Sequence, residues 1–256
     1  MSYTSQVIPY VRFVLRRIED ALASKEEWFP FSNKSTDGRT NSCVSEPLVT
    51  EFLLTYPSLS GVVVRKQGKK SKKGKKAKKN VSTEEESTDE DNRAFGDIGI
   101  DISKFGYKEP FPCNIKIISD STKSGCNSCG ITRFIGYTFG KKCSSNNDVA
   151  KILLDIDRDG YDSCEPFLYG LILLSKEDKA YWVGTFDKLP AECITTNPAN
   201  PLQIKFPTCK VSRTHKEYIR LIHDKTMESY HKRAEPSLIY KEGKRESARL
   251  EARISI

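Results

Sequence analysis

Residues 65–80 read RKQGKKSKKGKKAKKN, nine lysines and an arginine, and six acids follow within TEEESTDED at 83–91. Neither block carries enough apolar surface to be buried, so the fold must close around this stretch and not through it. Residues 66–92 are therefore expected to form a disordered insertion, first Lys-rich and then acidic. What remains is able to fold: 37% of the 256 residues are hydrophobic and 10% aromatic, enough for a core and a single domain over 1–256. The last residues, 236–256, are expected to be a flexible basic tail.

The formal charge of +8 points to an anionic partner, nucleic acid first and acidic membrane second. No run approaches the roughly 18 apolar residues of a membrane span, and the first residues lack a basic start followed by an apolar stretch. A soluble, intracellular protein that is not secreted is the expectation. Its eight cysteines are then expected to be reduced thiols. Cys126 and Cys129 form a CxxC that Cys143 or Cys164 would have to complete for zinc, but the spacing is loose and free thiols are the plainer reading.

Periodicity gives the elements. In QVIPYVRFVLRRIEDALAS the apolar positions 7, 8, 11, 14, 15, 18, 21 and 22 follow a 3.6 period, which predicts an amphipathic helix with Pro9 in its first turn. SEPLVTEFLLTY at 45–56 repeats the pattern, and Ser45 followed by Pro47 resembles a helix start. GVVVR is a short strand, and RAFGDIGIDISKFGYKEPFPCNIKIIS reads as strand, connection, strand. A helical pattern follows at 131–139, and DVAKILLDIDRD at 148–159 is helical or mixed. EPFLYGLILLSKEDKAYWVGTFDKL is a hairpin turning at Lys176 to Lys179, PLQIKF is a shorter strand, and SRTHKEYIRLIHDKTMESYHKRAE is a basic helix. Helices before, within and after a run of strands predict an α/β (α+β) fold, a central mixed sheet with flanking helices.

Two of those strands carry unusual polar groups. In PFPCNIKII side chains alternate, so Asn114 and Lys116 share one face while Cys113, Ile115 and Ile117 share the other. A lysine on a buried face needs an anion or a metal-bound group for company. GDIGIDI offers carboxylates at Asp97 and Asp101 on a strand close enough to be the sheet neighbour. A carboxylate with a carboxamide oxygen suits Mg²⁺, a hard cation. A lysine beside such an ion can act on a water, because nearby positive charge and burial favour the neutral amine. Those are the parts that hydrolysis of a phosphodiester requires.

Taken in order, Asp97 in RAFGDIGI and Asn114 with Lys116 in FPCNIK resemble the PD-(D/E)xK nucleases, and among them the type II restriction endonucleases. In that family an Asp on one strand precedes an acid-x-Lys pair on the next, and a minority subset has Asn in the acid's place. ITTNPANPLQIKFP at 194–207 is similar to the C-terminal part of the same group, so the likeness runs over roughly residues 93–207. It implies a restriction-endonuclease-like core and Mg²⁺-dependent, sequence-specific cutting of double-stranded DNA. Asp97, Asn114 and Lys116 would be catalytic, with Asp97 and Asn114 holding the metal. It also implies a cognate DNA methyltransferase in the same restriction-modification system and leaves a homodimer open. The lysine-rich insertion is atypical of bacterial members and suits a relative from a eukaryote or a large virus of algae. The alternative is a noncatalytic DNA-binding or assembly protein on a nuclease-like scaffold.

Asn114 supplies less negative charge than the usual acid, so Asp101, Glu51 or Glu46 is an additional metal-ligand candidate, and Asp97 is preferred to Asp101 because it follows Gly96. For the two glutamates a solvated helix surface is the bland alternative. Lys123, Lys141 and Lys142 are weak candidates for DNA phosphates. His215, His223 and His231 lie eight residues apart with no metal-binding pattern around them. DIDRDG starts like a calcium loop, but its twelfth position is Pro166, and it reads as an acidic turn.

Overall fold

The computed structural model describes residues 5–30, 38–65, 96–118, 126–127, 130–163, 165–196, 202–230 and 241–246. The charged insertion at 66–92 lies outside the described residues, as do residues 119–125 with Lys123, Cys129, Cys164, His231 and most of the 236–256 tail.

Helix α1 (Val7–Ala23) buries Val7, Val11, Val14, Leu15, Ile18, Ala21 and Leu22, the stripe its 3.6 period predicts. Helix α2 (Gly38–Thr55) begins well before Ser45 and carries Pro47 inside it. A helix start at Ser45 is thus corrected: the helix continues across a proline that gives up one backbone hydrogen bond. Packing of Val49 and Leu53, both fully buried, holds that turn in place.

Five strands form the main sheet in the order β1-β2-β3-β5-β6: β1 (Val63–Arg65), β2 (Ile98–Ile100), β3 (Phe111–Ile118), β5 (Gly170–Ser175) and β6 (Ala180–Thr185). All neighbours are antiparallel except β3 and β5, which run parallel from Cys113↔Gly170 to Ile118↔Ser175. A parallel pair needs a long crossover. Helices α3 (Ile131–Phe139) and α4 (Asn146–Asp159) supply it, the second opened by a capping box in which Ser145 and Asp148 satisfy each other's backbone N–H.

A second, three-stranded sheet joins β4 (Cys126–Asn127), β8 (Gln203–Ile204) and β7 (Ile194–Thr195) in the order β4-β8-β7. Helix α5 (His215–Tyr230) follows. The architecture is a mixed α/β fold with a central mixed sheet and flanking helices, as the element pattern predicts.

Helix α1 lies along β6, and α2 lies along β3 and β1. On the face of Cys113, Ile115 and Ile117, a side chain at Gly170 would run into Cys113 Sγ and meet Leu15 of α1, so glycine lets these elements close up. Burial raises the Cys113 thiol far above its ordinary value and pushes Cys143 up to about 12, which keeps both protonated and unreactive. No helix among the described residues is long and apolar enough to cross a membrane.

Candidate active site

Strand β2 is short, and its two flanking aspartates do different work. Ahead of it, Gly96 adopts φ +111°, and a Cβ there would lie 3.0 Å from both Cys113 N and Pro112 Cβ. Only glycine takes that turn without strain. It delivers Asp97 one row beyond the Ile98↔Cys113 pair, next to Asn114. Asp97 N–H donates to Cys113 O at 2.8 Å, and Asp97 Oδ2 accepts from Ile115 N–H at 2.7 Å. The carboxylate therefore continues the sheet ladder in place of backbone. Its other oxygen, Oδ1, makes no hydrogen bond among the described residues.

Asp101 is at the other end of β2, about 13 Å along an extended chain from Asp97. Its Oδ1 accepts from Ser103 N–H at 2.8 Å, at the start of the 3₁₀ turn Ser103–Phe105. That hydrogen bond, the Ser103 hydroxyl and then Lys104 hold its carboxyl below the usual aspartate range. The two acids flank a three-residue strand and do not share one site.

Lys116 Nζ reaches across from β3 to lie 3.7 Å from Asp97 Oδ2 and 3.8 Å from Glu46 Oε1 on α2. Both are ion-pair distances too long for hydrogen bonds. The three side chains are 20–33% exposed, so the cluster borders solvent without being immersed in it. Two carboxylates against one ammonium leave a net negative charge.

Asn114 shares the Lys116 face of β3 and is 5% exposed, flanked in register by Leu171 of β5. Its Nδ2 is sealed from solvent and has no hydrogen-bond partner among the described residues. An amide left in that state loses about 1–3 kcal/mol relative to a paired one. Orphaned buried polar atoms in native proteins call for a reason such as a ligand or ion.

Glu46 is therefore the added carboxylate that the structure brings to Lys116. Glu51, five residues on and about 140° around the helix, is exposed and pairs with Arg65. Nothing in the sequence separates the two, because the choice depends on how α2 docks along β3. Two weaker candidates also have other engagements: Lys141 Nζ bonds Asp155 at 2.8 Å, and Lys142 is exposed beside it. Lys123 lies outside the described residues.

A second polar group gathers around His223, which is buried on α5. Its Nε2 lies 3.3 Å from Asp157 Oδ2, and its Nδ1 lies 3.3 Å from Asp224 Oδ1 and 3.4 Å from Tyr161 Oη. Lys244, from the helical residues 241–246, reaches Asp157 Oδ2 at 3.1 Å. Asp155, Asp157 and Asp159 all lie within α4, so DIDRDG is the end of a helix and not an acidic turn. Helical spacing puts Asp155 and Asp159 on one face, where both meet Arg158 and Asp155 also meets Lys141, and turns Asp157 away to His223 and Lys244.

The side chains near Lys116 that could ligate a cation, Asp97, Glu46 and the Asn114 carboxamide, offer oxygens alone, the donor type that hard divalent cations take. No three His, Cys, Asp or Glu side chains among the described residues are grouped to hold a metal by themselves. Compared with known proteins, the chain matches no protein-family model and no curated protein sequence.

Proposed function

We propose that this protein is a Mg²⁺-dependent type II restriction endonuclease, hydrolysing phosphodiester bonds within a short specific sequence of double-stranded DNA. The observation that carries this reading is the meeting of Asp97, at the end of one strand, with the Asn-x-Lys of the next, Lys116 Nζ lying 3.7 Å from the aspartate. A solvated edge strand gives no cause for a lysine to lie between carboxylates from two separate elements while its neighbouring amide is buried without a partner.

In this reading Asp97, through its open Oδ1, Asn114 and Glu46 hold the ion. Bound there, Mg²⁺ would offset the charge of the scissile phosphate. Asp97 is kept in place by the Ile115 N–H, which fixes its carboxylate plane. Lys116 orients the attacking water and adds positive charge where charge develops on the phosphate. Glu46 and Asp97, one on each side, hold the ammonium in position before substrate arrives. The formal charge of +8 favours a polyanionic substrate. A cognate methyltransferase belongs to the same proposal, since a sequence-specific cutter requires protected host DNA.

The test is incubation of the purified chain with plasmid and phage DNA in Mg²⁺, followed by fragment sizing. Discrete fragments are expected, lost in EDTA and in Asp97→Ala and Lys116→Ala, and retained in Asp101→Ala. Wild-type protein that leaves DNA of varied sequence intact overturns the enzyme. Duplex binding that survives Lys116→Ala without any cutting would favour a noncatalytic DNA-binding protein instead.

A further inference from the structure

We propose that the outward face of α1 is a second nucleic-acid surface, on the opposite side of the sheet from Lys116, which holds the phosphate backbone of duplex DNA without reading its sequence. The inference does not depend on cutting and applies equally to a noncatalytic DNA-binding protein.

The sheet itself separates this surface from the Lys116 cluster. A side chain at Gly170 would run into Cys113 Sγ and lie 3.3 Å from Leu15 of α1, so α1 packs on the Cys113 face. Lys116 leaves β3 from the other face, toward Asp97 and Glu46. With its apolar stripe against the sheet, α1 turns Arg12, Phe13, Arg16 and Arg17 away from it. Arg16 is exposed, and so is Phe13, at 55%.

The charge of this face is not balanced within the fold. Arg12 and Arg16 stand four residues apart, a like-charge spacing that weakens a helix. Asp20, one turn beyond Arg16, makes no ion pair with Arg16 or Arg17. The other acids are engaged: Glu19 meets Lys210 at 2.7 Å, and buried Asp187 lies 3.4 Å from Arg12 and 3.9 Å from Lys188. Arg213 reaches the same place and donates to the backbone oxygens of Asp187 and Leu189. Six cations therefore stand against three acids. Two of the arginines are positioned before any ligand arrives, Arg12 by Asp187, and Arg17 by Ser58 O and by the Phe13 ring 5.7 Å from its guanidinium. A guanidinium carries five donors in a planar fork that matches phosphate, so these contacts leave others to offer. An anionic membrane would also attract the charge, but a helix lying on a membrane inserts its apolar face. That face of α1 is against the sheet, and Phe13 is the one large apolar side chain of the helix exposed to solvent.

The test is anisotropy of a short labelled duplex of arbitrary sequence, in EDTA, over a range of salt. Arg16→Gln should reduce the slope of log affinity against log salt by about one and weaken binding equally for unrelated sequences. Arg16→Glu should lower affinity at least about tenfold. Lys151→Glu makes the same change of net charge at an exposed position of α4 and should alter affinity less than about twofold, since salt screens distant charges. These results together support the surface. Equal losses from Arg16→Glu and Lys151→Glu overturn it, because net charge alone then accounts for binding, and wild type that binds no duplex at low salt overturns it outright. Tighter binding of wild type to phosphatidylserine vesicles than to the duplex, lost in Arg16→Glu, overturns it in favour of a membrane. Duplex binding that depends on Arg16 in a protein that never cuts ends the nuclease reading and leaves this surface standing; cutting by a protein whose duplex binding ignores Arg16→Glu does the opposite.

Discussion

Around Asp157, each carboxylate oxygen meets a donor: Lys244 Nζ at 3.1 Å and His223 Nε2 at 3.3 Å on Oδ2, and Tyr161 Oη at 3.3 Å on Oδ1. The contacts come from the turn after α4, from α5 and from residues 241–246, and the Tyr161 ring packs edge-on against His223. Burial and the nearby Asp157 and Asp224 charges push the Tyr161 hydroxyl up to about 12, so it stays a donor. Around Lys116 the charges lie 3.7 and 3.8 Å apart, one oxygen of Asp97 is open, and the Asn114 amide has no partner. A polar cluster that has closed on itself joins elements together, whereas one that has not closed leaves groups unpaired. A histidine and acids gather in the first, yet the chemistry proposed above lies at the second.

The largest expected break in that contrast is Lys116→Ala. Removing a group that works on the attacking water should slow cutting by at least about 10³-fold, measured by single-turnover cleavage, with the melting temperature within a few degrees of wild type. Asp157→Ala should do the reverse. Leaving His223 and Lys244 without their shared acid should destabilise the fold by about 2–3 kcal/mol, read as a fall in melting temperature, with the cleavage rate below the transition unchanged. Equal losses of activity in both variants would dissolve the distinction between the clusters.

Gly96→Ala tests how the open cluster is held. The φ of +111° and the 3.0 Å approach to Cys113 N and Pro112 Cβ predict strain of about 1–3 kcal/mol. Both stability and cleavage should fall, because Asp97 moves with the turn.

Glu46→Gln against Glu51→Gln is a smaller and sharper comparison. The first should weaken Ca²⁺ binding about tenfold, and the second, at an exposed pair with Arg65, should leave it within twofold.

The smallest effect concerns acid stability at Asp101. Its carboxyl titrates lower in the folded chain than in the unfolded one, so its contribution is complete above the unfolded aspartate value and is lost as pH falls through the lower folded value. Asp101→Asn should flatten the acid side of a melting-temperature profile and leave cleavage near neutral pH unchanged.

Alternation alone puts Asn114 and Lys116 on one face of β3, and the 3.6 period alone selects the buried stripe of α1. Gly96 serves in the sequence only to favour Asp97 over Asp101, and its structural reason, a backbone approach to Cys113, is visible only in three dimensions. Pro47 misplaces the start of α2 because a local rule about proline does not include the packing that holds Val49 and Leu53. For the same cause DIDRDG reads as a turn although it ends a helix: acidic composition is local, whereas the partners that satisfy those acids, Lys141, His223 and Lys244, come from distant elements.

By itself, then, the sequence determined the element types, the polar face of β3 and the order of Asp97, Asn114 and Lys116, since these depend on spacing along one chain. The tertiary structure decided which acid joins them. Glu46 and Glu51 are equivalent in composition and in helical context, and Asp97 and Asp101 share a strand pattern. Only the docking of α2 along β3 and the turn at Gly96 bring one of each pair within 4 Å of Lys116, because electrostatic contact falls off with distance in space and not with separation in sequence.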